Sequence, residues 1–316
     1  MMKPRILQKG TYMPALETAL ANEFDVHPLW RENDQDAFLA RHGSEFVGLA
    51  TSARWGADAA LIARLPNLKV ISSFGVGVDT IDIAAARQRG ILVGNTPDVL
   101  NDCVADLAFG LLIDVARSLS ASERFLRRGD WQRGPFALQT RVSGKRLGIL
   151  GLGRIGRAIA RRASGFDMEV RYHNRHRVDD VSFSYEPSFT GLARWADFLV
   201  LASAGGPATR HLVSAEVLNA LGPAGFLINI SRGSVVDESA LVDALVNRKI
   251  AGAALDVFEN EPNVPEALLA LDNVVLLPHI ASGTNETRQA MADLTLANLR
   301  SFFDTGRLLT PVGQPA

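Results

Sequence analysis

Three ionisable side chains stand just beyond short apolar runs: Arg232 in NISRGSVVD, Glu261 in DVFENEP, and His279 at the end of NVVLLPH. An imidazole can give a proton to a carbonyl oxygen or take one from a hydroxyl near neutral pH, and a carboxylate can orient it and stabilise its cationic form. A guanidinium can hold a carboxylate through paired hydrogen bonds. If the three apolar runs are parallel strands, their trailing loops gather at the carboxyl edge of the sheet, where open sheets place ligands. Alone, His279 reads as a structural or surface histidine. Together the three residues suggest one cleft with acid–base chemistry and leave the substrate open.

A second constellation lies upstream. GILGLGRIGRAIARR carries Gly151, Gly153 and Gly156 in G-x-G-x-x-G order, after a strand-like RLGIL and ahead of a helical composition. The first glycine suits a tight turn, the second lets a pyrophosphate approach, and the third permits close helix–strand packing. The helix amino terminus then faces phosphate with free N–H groups and a favourable dipole. A dinucleotide site that takes NAD usually places an acid at the end of the next strand, to accept the ribose hydroxyls. Here MEVRYH leads to Asn174, eighteen residues beyond Gly156, with Arg175, His176 and Arg177 behind it. Guanidinium groups hold an additional ribose phosphate that a carboxylate would repel, so the spacing favours NADP over NAD. His176 is either a stacking neighbour of adenine or an exposed bystander.

Short apolar runs alternate with helical patterns along the chain, which predicts an α/β fold with largely parallel sheets. Strands are expected at PRILQKG, EFVGLATS, LKVISSFGVG and ILVGNT, then at RLGILGLG, MEVRYH, DFLVLAS, GFLINIS, GAALDVF and NVVLLPH. A helix is expected from Asn101 to about Arg127 and another near 285–305, the two linking the units. At 316 residues two domains are expected rather than one. The second βα series reads as an insertion: a discontinuous substrate domain over 1–100 and 283–316, and a nucleotide-binding domain over 101–282. TPVGQPA reads as a loosely attached tail. With 33 basic against 34 acidic residues, no broad nucleic-acid surface is expected. One cysteine, Cys103, excludes an intramolecular disulfide scaffold and fits a reducing, cytoplasmic compartment. No apolar run suits a membrane span, and no His/Cys/Asp cluster has metal-ligand spacing.

These motifs resemble the D-isomer specific 2-hydroxyacid dehydrogenase family, in its glyoxylate/hydroxypyruvate reductase branch. LGILGLGRIGRAIA, LINISRGSVVDESALVDAL, ALDVFENEP and LLPHIAS carry the likeness, and FGVGVDTIDI and VGNTPDVLNDCVADLAFGLLI extend it over nearly the whole chain. The resemblance implies two Rossmann-like α/β domains with a cleft between them, a homodimer, and reversible hydride transfer between a nicotinamide cofactor and a 2-oxo or 2-hydroxy acid. It makes Arg232, Glu261 and His279 the catalytic residues and gives the substrate carboxylate to Val76 and Gly77. It assigns the pyrophosphate to Leu152, Gly153, Arg154 and Ile155. Asp256 falls near its nicotinamide amide, Ser203 at its nicotinamide-side ribose, and Ser282 beside the nicotinamide amide or the substrate; Ile230, Arg232 and His279 are further cofactor contacts. The expected reaction is NADPH-dependent reduction of glyoxylate and hydroxypyruvate. The rivals are a reductase of larger 2-oxo acids and a dinucleotide-sensing interaction protein. Cys103 is expected to be a buried small hydrophobe and Asp106 to bond across the domain junction. Trp131 and Phe136 are expected at a dimer contact, and the SAGGPAT loop departs from the proline-bearing loop of many relatives.

Overall fold

The computed structural model describes residues 3–313. Contacts divide the chain into two compact units, Met1–Leu100 with Thr284–Ala316, and Asn101–Gly283.

The first unit holds five parallel strands: β1 (Arg5–Gln8), β2 (Asp25–Pro28), β3 (Gly48–Ser52), β4 (Val70–Phe74) and β5 (Leu92–Gly94). Their order is β2-β1-β3-β4-β5, the doubly wound order of flavodoxin-like sheets. A parallel sheet is covered on both faces, so its strands are apolar throughout rather than alternating. Every residue of β3 is buried. Helix Asn285–Thr305 packs on β4 and on helix Pro14–Glu23. Thr284 Oγ1 caps it by accepting the Thr287 N–H at 3.2 Å. Inside that packing, Ser72 Oγ donates to Thr295 O at 2.9 Å.

The terminal segment is better held than its composition suggests. Asn298 Oδ1 accepts the Thr310 N–H at 3.0 Å, Val312 N donates to Val93 O at 2.7 Å, and Pro311 bridges Gly94 in antiparallel fashion. Backbone pairing therefore fixes Thr310–Val312, where the sequence suggested a loose tail. The remainder of that expectation, Gln314–Ala316, lies outside the described residues.

The second unit holds seven parallel strands: β6 (Arg146–Leu150), β7 (Glu169–His173), β8 (Ser184–Tyr185), β9 (Phe198–Leu201), β10 (Phe226–Asn229), β11 (Gly252–Leu255) and β12 (Val274–Leu276). Their order is β12-β11-β10-β9-β6-β7-β8, so the winding direction reverses between β6 and β9. That reversal is the switch point at which dinucleotides bind in Rossmann folds. Helix Asn101–Arg117 packs within this unit on β10, β11 and helix Arg154–Ala163. It and Asn285–Thr305 follow directly on the two crossings of the chain between the units, and each packs into the body of one unit.

The continuous helix expected to Arg127 is in fact two, Asn101–Arg117 and Leu119–Arg127. Ser118 between them is left-handed, with φ 51°. Asp114 supports the break by accepting the Ser120 N–H at 2.8 Å, which competes with helical hydrogen bonding. Two short elements carried too little apolar signal to be expected, β2 and β8.

Candidate active site

The glycine turn meets each steric requirement in turn. Gly151 has φ +96°, and a Cβ there would lie 2.7 Å from Ser203 N. A Cβ on Gly156 would lie 2.1 Å from Gly151 O, so this glycine lets the helix sit against the strand. At Gly153 a Cβ would meet nothing within 4 Å, which leaves the space that a pyrophosphate needs. Gly153 is also the N-cap of helix Arg154–Ala163, and no side chain caps that end. Arg154 is exposed and Ile155 half-buried there. Beside this turn Ser203 Oγ is buried and has no hydrogen-bond partner among the described residues. An orphaned hydroxyl next to an open, uncapped helix terminus is the environment a dinucleotide would complete.

Asn174 performs a task its position alone did not disclose. Its Oδ1 accepts the Leu152 N–H at 2.7 Å, tying the end of β7 to the glycine turn. A carboxamide can do this without placing a negative charge at the ribose position. The basic turn beyond it is braced on several sides. Tyr185 Oη donates to Asn174 O at 3.1 Å, and Val178 N donates to Tyr172 Oη at 2.9 Å. Arg175, His176 and Arg177 are exposed. Asp180, which would repel a phosphate, is held by Arg157 through contacts of 3.0 and 2.6 Å. The Arg157 hydrogen bonds hold the Asp180 carboxyl below its ordinary range.

His279 and Glu261 come together. His279 Nδ1 lies 2.8 Å from Glu261 Oε2, and the imidazole is 44% exposed. With Nδ1–H donated to the carboxylate, Nε2 is left for a reacting oxygen. Burial pushes the Glu261 carboxyl up, but the His279 hydrogen bond and charge, the Phe258 N–H and the Arg232 charge outweigh it and hold it below the ordinary value. His279 occupies a left-handed backbone position, φ 53°. Its N–H donates to Asp256 O at 2.9 Å.

Asp256, which the sequence resemblance put on the cofactor face, is fully buried. Its two oxygens accept the N–H groups that follow His279, Ile280 at 2.7 Å and Ala281 at 2.9 Å. Burial pushes this carboxyl above its ordinary range despite both hydrogen bonds. The residue thus builds the loop that presents the imidazole. Its acid type and its place in ALDVF were legible, but this use was not.

Arg232 follows β10 on a turn held from inside. Asn229, 1% exposed, accepts the Ser231 N–H at 3.0 Å and donates from Nδ2 to Arg232 O at 3.0 Å. Arg232 Nη1 donates to Ser231 O at 2.8 Å. Ile230 is buried, and Ser282 is half-buried at the end of the unit. Cys103 is half-buried and donates from Sγ to Ala281 O at 3.1 Å, so it is a donor to the His279 loop rather than a plain apolar filler. Asp106 is exposed and pairs with Arg162 Nε at 2.7 Å, a bond inside the second unit and not across a junction. Thr209 Oγ1 donates to Ala204 O at 2.9 Å and is used within its own loop.

Val76 and Gly77 belong to the first unit, on the loop that leaves β4. Gly75 N donates to Thr96 Oγ1 at 3.1 Å, and Asn95 Nδ2 donates to Val76 O at 2.8 Å. The loop is therefore fixed by the strand beside it. Both residues are half-buried.

Comparison with known proteins bears on the whole chain. The family model for the NAD binding domain of D-isomer specific 2-hydroxyacid dehydrogenases matches residues 109–281. A glyoxylate/hydroxypyruvate reductase A of Arabidopsis thaliana is 48% identical over 94% of this chain and 95% of its own length. A hydroxyphenylpyruvate reductase of Plectranthus scutellarioides is also 48% identical, with the same coverage of 94% and 95%. Among solved structures, the NADPH-dependent glyoxylate/hydroxypyruvate reductase of Sinorhizobium meliloti, in complex with NADP and malonate, aligns with TM-score 0.91 at 44% identity, over 99% of both chains. With a Rossmann-like domain inserted into a second α/β domain and these likenesses over nearly its full length, the chain belongs to the D-isomer specific 2-hydroxyacid dehydrogenase family.

Proposed function

We propose that the chain reduces small 2-oxo acids with NADPH, with glyoxylate and hydroxypyruvate, which yield glycolate and D-glycerate, as the leading substrates. The observation that carries this reading is the 2.8 Å contact between His279 Nδ1 and Glu261 Oε2, which leaves Nε2 to act on the substrate oxygen. The bound reduced nicotinamide supplies the hydride. Leu152, Gly153, Arg154 and Ile155 hold its pyrophosphate, Arg175 and Arg177 its 2′-phosphate with Asn174 beneath them, and Ser203, Ile230 and Ser282 its nicotinamide half, with Asp256 behind the loop. Arg232 grips the substrate carboxylate and fixes the reacting carbon. Val76 and Gly77 give their N–H groups to the same carboxylate. His279, protonated, donates from Nε2 as the carbonyl oxygen gains charge, and Glu261 stabilises the imidazolium beforehand.

The domain limits we adopt are 1–100 with 283–316 for the substrate domain and 101–282 for the nucleotide-binding domain. We place the enzyme in the cytoplasm as a homodimer that binds neither membrane nor nucleic acid. Among the described residues, no helix is long and apolar enough to cross a membrane.

A second reading concerns substrate size. The 48% identity to a hydroxyphenylpyruvate reductase favours a pocket that also accepts an aromatic 2-oxo acid. A panel of glyoxylate, hydroxypyruvate and hydroxyphenylpyruvate, each with NADPH and NADH, separates the readings through kcat/KM. Highest values for the two small acids with NADPH support the first; a preference for the aromatic acid transfers the proposal to the second. His279→Gln should lower kcat by about 10²–10⁴ while NADPH still binds. A variant as fast as the parent removes His279 from this role.

A further inference from the structure

The turn that carries Glu261 is clamped by a polar cluster that does not itself touch His279. Glu259 Oε1 receives Arg210 Nη2 at 2.6 Å and His211 Nε2 at 2.9 Å, both from the loop after β9. Its backbone N–H donates to Glu238 Oε1 at 2.8 Å. Two residues on, Glu261 uses Oε1 to accept the Phe258 N–H at 3.2 Å and Oε2 to meet His279. Phe258 is 6% exposed and is set in the core of the unit.

The same cluster reaches the turn of Arg232. His211 N donates to Ser234 O at 2.8 Å, with His211 in a left-handed position at φ 51°. A Cβ on Gly233 would lie 1.8 Å from Phe258 C and 2.2 Å from Glu259 N. The Arg232 turn and the Glu261 turn are thus stacked backbone on backbone, and Glu259 with Arg210 and His211 lies across the stack.

We infer that Glu259, held by Arg210, His211 and Glu238, is a positioning residue that fixes the Phe258–Glu261 turn against the Arg232 turn, and so sets the alignment of Glu261 on His279. This rests on the acid–base reading of His279 and Glu261. The groups that bear on the couple are Glu261 and Asp256, which face His279, and Arg232, whose charge acts on Glu261. Those bearing on Glu259 are Arg210, His211 and Glu238. Removal of the Glu259 carboxylate leaves the Arg210 guanidinium and the His211 imidazole without their acceptor and lets the turn shift. Glu261 then supports the imidazolium less well. Reduction needs that imidazolium, so the rate is lost at lower pH as pH rises.

The test compares Glu259→Ala, Glu259→Gln and His279→Gln with the parent as full-length proteins, with hydroxypyruvate and NADPH as substrates. Glu259→Ala should lower kcat about ten- to hundredfold, the scale of a small misplacement near the reacting groups. The KM for NADPH should change less than about twofold, and the alkaline limb of kcat should move to lower pH. Glu259→Gln keeps an acceptor for His211 and should recover most of kcat. Parent-like kcat and alkaline limb in Glu259→Ala, beside an inactive His279→Gln, overturn the inference alone. Parent-like activity in His279→Gln overturns the acid–base reading itself. A lower melting temperature with an unmoved alkaline limb marks Glu259 as merely structural and also overturns the inference. If Glu259→Ala does not fold, the double variant Arg210→Ala/His211→Ala removes both partners of the carboxylate. A parent-like pH profile in that variant overturns the inference, and a downward shift supports it.

Discussion

A carboxylate at position 174 would repel a ribose phosphate; the amide that stands there ties Leu152 N–H to the end of β7 at 2.7 Å. In the proposed site the cofactor preference would rest on two exposed guanidinium groups, Arg175 and Arg177, and on the pairing of Asp180 with Arg157. Each charge-assisted hydrogen bond to a phosphate contributes about 1.5–3 kcal/mol when made. Arg175→Ala/Arg177→Ala should raise the NADPH dissociation constant by at least about tenfold and leave that for NADH within about twofold. Fluorescence titration with each cofactor measures both. An unchanged ratio assigns the phosphate to other residues. At this scale the meeting of His279 with Glu261 was readable from sequence, since each falls after an apolar run and their loops gather at one sheet edge. The hidden uses were those of polar side chains directed at backbone, as in Asn174, Asn229 and Asp256. Such bonds depend on where a neighbouring loop passes, and spacing does not encode that.

Strands were the most legible elements, because a strand covered on both faces must be apolar along its length. β2 and β8 were silent for the converse reason: DVHP and SY lie at sheet edges, where burial imposes little pattern. The break at Ser118 was silent because helical periodicity continues through it, while Asp114 determines where the helix turns. Between β6 and β9 one acid supplies a test of how the sheet is held. Asp197 accepts the Arg146 N–H at 2.9 Å and Arg146 Nη2 at 2.9 Å, joining the amino ends of the two strands. Burial pushes its carboxyl up, but the Arg146 hydrogen bonds and charge bring it below the ordinary value. A depressed acid contributes stability above its unfolded value, near 3.9, and that contribution is lost as pH falls through the lower folded value. Asp197→Asn should destabilise the nucleotide-binding unit by about 1 kcal/mol at neutral pH. The gap from the parent should narrow below about pH 4. Urea unfolding at several pH values measures it, and a constant gap would place the effect elsewhere.

For the whole molecule, the question is what covers an apolar surface that neither core absorbs. Leu119, Leu126, Trp131 and Leu138 lie within twenty residues of sequence in the second unit and are 49%, 56%, 68% and 101% exposed. In the same segment Phe125 and Phe136 stack edge to face at 5.3 Å. Single exposed leucines are ordinary, but several large ones with a tryptophan on one stretch are what an association surface would use. A second copy of the chain is the occupant consistent with the proposed homodimer, since a two-fold interface buries the same patch on both partners. Light scattering should give the parent twice the 34.1 kDa chain mass. Trp131→Glu/Leu138→Glu places four charges in such an interface, two from each copy, and should yield monomer. Leu138 is fully exposed in the single chain, so the variant has no packing of its own to lose there. Its melting temperature at low concentration should match that of the dissociated parent. If the charged variant keeps the parent's mass, this segment is not where the copies meet.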